Sequence, residues 1–141
     1  MSQGIVRADD GWQVPAFRGL GVGELVIDDR LRLRIGSNEI MLCSRADLVA
    51  DERAYWVAAW PQTNLGKATE LLRQVVAEVS ASDQGVLRVL FAGGWRLIVP
   101  ANDERSAWTV TVRGRGYLAA KPGGGVTVAD FGSDSAVAVT A

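Results

Sequence analysis

Acidic and basic side chains occur together in a six-residue phrase that the chain contains twice. The phrase reads DERAYW at residues 51–56 and DERSAW at residues 103–108. Two carboxylates beside an arginine can supply a general acid, a general base and a clamp for an anion. Polar residues before a tryptophan-led strand are also ordinary turn residues, and we favour this structural interpretation. An enzyme that uses only carboxylates and arginine is the weakest of three functional hypotheses.

The composition removes most other catalytic machinery. The 141 residues include no histidine and one cysteine, Cys43. Histidine is the usual general base near neutral pH and the commonest metal ligand, so Ser-His and Cys-His nucleophiles are excluded. The glycines of GLGVG at residues 19–23 precede a strand, whereas a phosphate-binding glycine loop follows a strand and opens a helix. We therefore expect no enzyme activity, no metal site and no cofactor.

The charge balance bears on the class of partner. Fifteen basic and 16 acidic residues leave a net charge of −1, which provides no broad positive surface for nucleic acid. RGRG at residues 113–116 is a single instance between alternating strands, so we interpret it as a hairpin loop and not as an RNA-binding segment. The chain has no apolar run long enough to cross a membrane and no secretory signal. We expect a cytoplasmic protein that binds neither nucleic acid nor membranes.

The strongest periodic signal is RLRLRI at residues 30–35, in which arginine and apolar residues alternate strictly. A period of two is typical of a β-strand with one buried face. GELVI at residues 23–27 reads as its hairpin partner, and GSN at residues 36–38 supplies the turn to a third strand. These segments predict an antiparallel meander.

A second set of features repeats the first in the same order. Each set contains a strand, an Asp-bearing turn, an arginine-containing strand, a glycine turn, an apolar strand, and then DER and a tryptophan. We interpret the sets as diverged copies at about residues 22–60 and 76–115. Trp56 and Trp108 are then expected to be buried equivalents that anchor the two copies.

One helix is predicted between the copies, at TNLGKATELLRQVV, residues 63–76. Its apolar residues recur at helical spacing behind an N-cap, and the side formed by Leu65, Leu72 and Val75 should pack against the sheet. Residues 132–141 read as a loose tail. The sequence predicts a single α+β domain over residues 1–141, mostly antiparallel β, with two repeated β-meanders and one helix between them.

The arginine stripe is the first candidate for a binding surface. Arg30, Arg32 and Arg34 would lie about 6.6 Å apart on one sheet face, where like charges repel unless something acidic covers them. The stripe can be a solvated strand whose charges prevent aggregation. Alternatively, it meets an acidic partner or a neighbouring acidic segment, such as Asp47 or Asp51.

The segment YWVAAWP at residues 55–61 adds aromatic side chains to this surface. Tryptophan, tyrosine and arginine are the residues enriched in the hot spots of protein interfaces. The candidate partner interface therefore consists of Arg30, Arg32, Arg34, Tyr55 and Trp60.

A family resemblance rests on LRVLFAGGWRLIVP, SAWTV and YLAAKPGGGVTVADF, and it covers residues 76–131 best and residues 17–60 more loosely. These segments resemble a small uncharacterised domain family of actinobacteria, whose members have a strand pair ending in Val-Pro, an Ala-Trp-led strand and a Pro-Gly-Gly hairpin. The resemblance implies a fold and assigns no catalytic residue. It also implies kinship with immunity or accessory proteins that are found beside polymorphic toxins.

The leading hypothesis is a non-catalytic cytoplasmic domain that binds another protein, with neutralisation of a toxin domain as its expected role. The competing hypothesis is a small-ligand-binding domain with a cleft between the two repeats. A homodimer is left open by the sequence.

Overall fold

The computed structural model describes residues 4–130, so the predicted loose tail at 132–141 lies outside the described residues. The strands are β1 Val6–Ala8, β2 Gly11–Gln13, β3 Val22–Ile27, β4 Leu31–Ile35, β5 Asn38–Leu42, β6 Ala46–Ala50, β7 Arg53–Val57, β8 Val76–Ser82, β9 Leu87–Phe91, β10 Arg96–Val99, β11 Trp108–Val112, β12 Gly116–Ala120 and β13 Val126–Asp130. One helix, α1, spans Leu65–Ala68, and 3-10 turns lie at Pro15–Phe17 and Thr69–Leu71.

The strands form two antiparallel sheets. The seven-stranded sheet has the order β1-β2-β8-β9-β10-β6-β7, and the six-stranded sheet has the order β13-β12-β11-β5-β4-β3. One cluster of buried apolar side chains, with members from both sheets, fills the space between them. The predicted class, α+β with mostly antiparallel β structure, is confirmed.

Both halves of the chain pass through the sheets in the same order. The meander β3-β4-β5 lies in the six-stranded sheet, and the hairpin β6-β7 then joins the seven-stranded sheet. The meander β8-β9-β10 lies in the seven-stranded sheet, and the hairpin β11-β12 joins the other sheet. The first strand of each meander has a register shift, between Val22 and Glu24 and between Val76 and Glu78. The common origin of the halves and the boundaries 22–60 and 76–115 stay predictions.

The alternating pattern of β4 decides which side of that strand faces the core. Leu31, Leu33 and Ile35 are buried, while the side chains between them face outward. Full burial of an aliphatic side chain of this size stabilises the fold by about 1.5–3 kcal/mol. The strand at residues 30–35, with one buried face, is therefore confirmed apart from Arg30, which precedes β4.

Trp108 is a central residue of the core. Its side chain is 0% exposed, and its indole Nε1 donates a hydrogen bond to the carbonyl oxygen of Gly85 at 2.9 Å. Gly85 has φ +92°, and a Cβ there would lie 2.9 Å from the carbonyl oxygen of Gly125. A larger residue could not occupy this position without displacing backbone, so the bond to Trp108 depends on a glycine.

Trp56 occupies a different environment, and the prediction that it is a buried equivalent of Trp108 is wrong. Its side chain is 53% exposed, whereas that of Trp108 is fully buried. Trp56 is the fourth residue of β7, the second strand of its hairpin, but Trp108 is the first residue of β11, the first strand of the other hairpin. The two tryptophans come after the same letters and hold different places in the fold.

The predicted helix at residues 63–76 is also wrong in its extent. Helix α1 has four residues and continues only as a 3-10 turn, and Arg73 adopts a left-handed backbone conformation with φ +73°. Leu72 and Val75, expected to pack on the sheet, are each 40% exposed. Among residues 4–130, no helix has the length and apolar character needed to span a membrane.

Candidate functional site

Two connections between the sheets meet at one end of the molecule. Residues 43–45 lead from β5 to β6, and residues 100–107 lead from β10 to β11. The backbone N–H of Cys43 donates to the carbonyl oxygen of Ala107 at 2.8 Å, and the Asn102 amide donates to the Ser44 hydroxyl oxygen at 3.3 Å. These bonds hold the two crossover connections side by side.

A loop between β7 and α1 stands over this junction. Ala58 and Thr63 pair across it through two backbone hydrogen bonds of 3.1 and 3.0 Å, and the Asn64 amide donates to the Trp56 carbonyl oxygen at 2.7 Å. The closed loop presents Trp60 at its tip, with 77% of the residue exposed. An indole exposed to this degree is unusual for a residue type that is highly buried on average.

Two open grooves lie on either side of Trp60. The first, which we name the Arg45 groove, has a volume of about 610 Å³ and is lined by Arg45, Trp56, Pro61, Pro100 and Asn102, among others. The second, the Arg30 groove, has a volume of about 590 Å³ and is lined by Asp29, Arg30, Met41, Glu104 and Thr109, among others. Cys43, Trp60 and Arg105 line both grooves. We call Trp60 and the two grooves the Trp60 surface.

The arginines of the Trp60 surface carry their charge without a direct ion-pair partner. Arg30, Arg45 and Arg105 form no ion pair with the described side chains of residues 4–130. The Arg45 guanidinium lies 3.6 Å from the centroid of the Trp56 ring, which is a cation–π stack. An Arg30 guanidinium nitrogen lies 3.9 Å from the Met41 sulfur. The surface thus combines exposed indole with cations that remain free to bind an anion.

Cys43 lies at the base of both grooves. Burial raises the pKa of its thiol above the ordinary value of 9.0, because the charged thiolate is poorly solvated there. The thiol is therefore protonated at neutral pH, which makes it a slow nucleophile. Because Cys43 lines both grooves, the rate at which its thiol is alkylated can report whether a ligand occupies the Trp60 surface.

The three arginines of the predicted stripe have different surroundings in the structure. Arg34 pairs with Glu24 at 3.1 Å and with Glu39 at 3.5 Å, and Arg32 lies 3.7 Å from Asp28. These carboxylates lie on β3, on β5 and in the turn between β3 and β4, and none is the Asp47 or Asp51 that the sequence suggested. Of the three arginines, only Arg30 reaches the Trp60 surface.

Tyr55 is separated from Trp60, although both belong to the predicted interface. Tyr55 is half-buried on β7, and the Lys67 ammonium lies 4.7 Å from its ring and 4.9 Å from the Trp95 ring. The Lys67 ammonium also pairs with Glu70 at 3.3 Å. These contacts attach α1 to the seven-stranded sheet, so Tyr55 holds the helix and does not line the grooves.

The two DER segments adopt different conformations at opposite ends of the seven-stranded sheet. Asp51 and Glu52 form the tight turn between β6 and β7, with φ values of +53° and +68°. Residues 103–105 lie in the crossover to β11, where the Glu104 N–H donates to the Asn102 side-chain oxygen at 2.8 Å. The two segments do not combine into one acid–base site. Among residues 4–130, no group of three or more metal-ligating side chains is close enough to hold a metal ion.

Comparison with known protein families shows which family the chain belongs to. Residues 13–130 match the family described as "Family of unknown function (DUF6188)". The chain belongs to this family. The prediction of an uncharacterised domain family is confirmed, whereas actinobacterial origin and kinship with immunity proteins stay expectations. Comparison with curated proteins and with solved structures gave no match.

The matched region contains every residue of the Trp60 surface named above, including three that the predicted interface lacks: Trp56, Arg45 and Arg105. Arg45 and Arg105 lie in the two crossover connections, which become neighbours only when β5 pairs with β11. Arg105 belongs to the second DER segment of the sequence. The polar residues around it are typical of a turn, so sequence reasoning favours a structural role for it. Trp56 is expected in the core on its sequence alone.

Proposed function

We propose that this member of the family is a non-catalytic domain that binds another protein through the Trp60 surface. The observation that carries the proposal is the exposure of Trp56 and Trp60 beside arginines without carboxylate partners among the described side chains. Interface hot spots are enriched in tryptophan and arginine. The free cations favour a partner whose contact surface is acidic.

The proposal includes a biological setting that rests on the sequence alone. The resemblance to immunity and accessory proteins suggests that the partner is a toxin domain, which direct binding would neutralise in the cytoplasm. If so, co-expression of this chain should protect cells from the toxin. A Trp60→Ala variant of equal abundance should fail to protect them.

The decisive experiment compares two exposed aromatic residues. Tyr117 is 37% exposed on β12, and it does not line the Trp60 surface. The tagged chain and its Trp60→Ala and Tyr117→Ala variants are purified from the native host, and bound proteins are quantified by mass spectrometry. We expect one stoichiometric partner that Trp60→Ala loses by about thirtyfold in affinity, as for a 2 kcal/mol hot spot, and that Tyr117→Ala retains. Equal retention by both variants would place the interface elsewhere.

A small-ligand function is the second candidate, because the Arg45 groove lies at the junction of the two halves. Its volume of about 610 Å³ falls in the range of ligand sites, roughly 300–1,000 Å³. Native mass spectrometry of the purified chain separates the candidates. A bound metabolite that Trp60→Ala releases would favour this function over protein binding.

A further inference from the structure

The two grooves beside Trp60 differ in charge. Arg45 and Arg105 line the Arg45 groove, and no Asp or Glu of the described residues lines it. The Arg30 groove contains Arg30 and Arg105, and the carboxylates of Asp29 and Glu104 oppose them. One groove therefore has a positive charge balance and the other is close to neutral, with Arg105 shared between them.

The cation of the Arg45 groove is held in place before any partner arrives. The guanidinium of Arg45 stacks on the Trp56 ring at 3.6 Å from its centroid, so its planar fork has few orientations to lose on binding. A planar guanidinium that keeps its N–H groups free can donate two parallel hydrogen bonds to one carboxylate. Pre-organisation of this kind raises affinity, because less conformational entropy is lost.

A neutral donor lies next to Arg45. The Glu104 N–H donates to the side-chain oxygen of Asn102, and the Asn102 amide donates to the Ser44 hydroxyl oxygen. Because the Ser44 oxygen already accepts a bond from Asn102, its own O–H is oriented away from that amide and remains a donor. Ser44 and Asn102 both line the Arg45 groove.

We infer that the Arg45 groove binds an aspartate or glutamate side chain of the partner protein, between Arg45 and Arg105, while the partner's next residues cross Trp60 into the Arg30 groove without an acidic group. This inference rests on the proposed function and specifies the partner's contact segment. A chain of phosphates would carry its charge across Trp60 and meet Asp29 and Glu104, which repel it. An isolated carboxylate in a peptide avoids this repulsion.

The test uses defined peptides and the folded chain labelled with ¹⁵N. The probe is a seven-residue peptide with one glutamate beside a tryptophan, and its control replaces glutamate with glutamine. Binding is measured from the indole N–H shifts of Trp56 and Trp60, and from the protection of Cys43 against alkylation. Inorganic phosphate and a single-stranded oligonucleotide are titrated in parallel.

We expect the glutamate peptide to bind about tenfold more tightly than the glutamine peptide, as the loss of a charge-assisted hydrogen bond implies. Arg45→Gln and Arg105→Gln should each weaken glutamate-peptide binding about tenfold. Arg30→Gln makes the same change of charge beside Asp29 and Glu104 in the other groove, and it should weaken binding by a smaller factor than Arg45→Gln does. Removal of the donor in Ser44→Ala should weaken binding by a smaller factor.

Equal affinity for the two peptides, including no binding of either, would overturn the inference. An Arg30→Gln variant as weak as Arg45→Gln would overturn it also, and so would tighter binding of phosphate or the oligonucleotide. None of these outcomes tests the proposed function. That function is tested by whether a protein partner needs Trp60 in order to bind. Loss of the partner in Trp60→Ala, with normal binding by Arg45→Gln, would leave the proposed function standing without this inference.

Discussion

The first half of the molecule, β3 to β7, and the second half, β8 to β12, take the same path through the two sheets. The six letters that the halves nearly share do not lie at the same place on that path. DERAYW forms the turn and second strand of one hairpin, whereas DERSAW leads into the first strand of the other. A repeated backbone path and a repeated phrase are therefore separate observations in this chain.

The halves differ most in the segments that come after their hairpins. After β12, the chain makes one more turn and adds β13 to the same sheet. After β7, it leaves the sheet in the loop that carries Trp60. The candidate site thus lies where the two paths diverge, and the shared part of each half provides the scaffold.

The largest expected effect separates the two tryptophans. Trp108→Ala should lower the free energy of unfolding by about 3–5 kcal/mol, because it leaves a cavity in the core and an unpaired Gly85 carbonyl. Trp56→Ala should cost less than about 1 kcal/mol, since the indole is half exposed. Urea denaturation of both variants measures the difference. Similar losses of stability in the two variants would indicate that Trp56 and Trp108 contribute equally to the core.

A smaller effect separates the two DER segments. Glu52 has φ +68°, a conformation that is strained for any residue with a Cβ and natural for glycine. Glu52→Gly should raise the free energy of unfolding by about 0.5–1 kcal/mol, whereas Glu104→Gly should lower it by about 0.5 kcal/mol through added freedom of the unfolded chain. Thermal melts check both values. A loss of stability in both variants would contradict the assigned turn.

The smallest effect concerns an aspartate in the first turn of each meander. The Arg30 backbone N–H holds the pKa of Asp28 below its ordinary value of 3.8 by donating to the carboxylate. The Arg7 guanidinium does the same for the pKa of Asp83. Both folded-state pKa values are lowered, so the stabilisation is present above pH 3.8 and is lost as pH falls through the folded values.

Substitution of Arg7 tests this comparison. Arg7→Gln should return the pKa of Asp83 toward its ordinary value and leave that of Asp28 unchanged, which carboxyl ¹³C titration measures residue by residue. The stability curves of the variant and the wild type should converge in acid, where Asp83 is protonated in both. A shift of both aspartates would show that Arg7 acts through the overall charge and not through one contact.

The local part of the fold could be predicted from the sequence. The alternation around Leu31 and Leu33 identifies β4, because a period of two is typical of a strand with one buried face. The helix prediction failed because Arg73, between Leu72 and Val75, adopts a left-handed backbone conformation that interrupts the helical path. Val75 instead accepts a backbone hydrogen bond from Ala92 just before β8, so its backbone serves the sheet.

The candidate site could be predicted only in part. Trp60 and Arg30 could be found because aromatic residues and an arginine beside an alternating strand are visible in any sequence. Arg45 and Arg105 could not, because nothing local places them together. Their proximity depends on the pairing of β5 with β11, a contact between strands that are far apart in the chain.

Each half places its meander in one sheet and its hairpin in the other. This arrangement has a consequence for how the fold responds to dilution. Two separate chains that completed each other in this way would form a dimer, and its stability would fall as the protein concentration fell. Here residues 58–75 tether the halves, which sets their local concentration on the order of millimolar whatever the amount of protein present. Within this tether Ala68 and Leu71 are fully buried and must fit the core, whereas the exposed Trp60 is free of that demand.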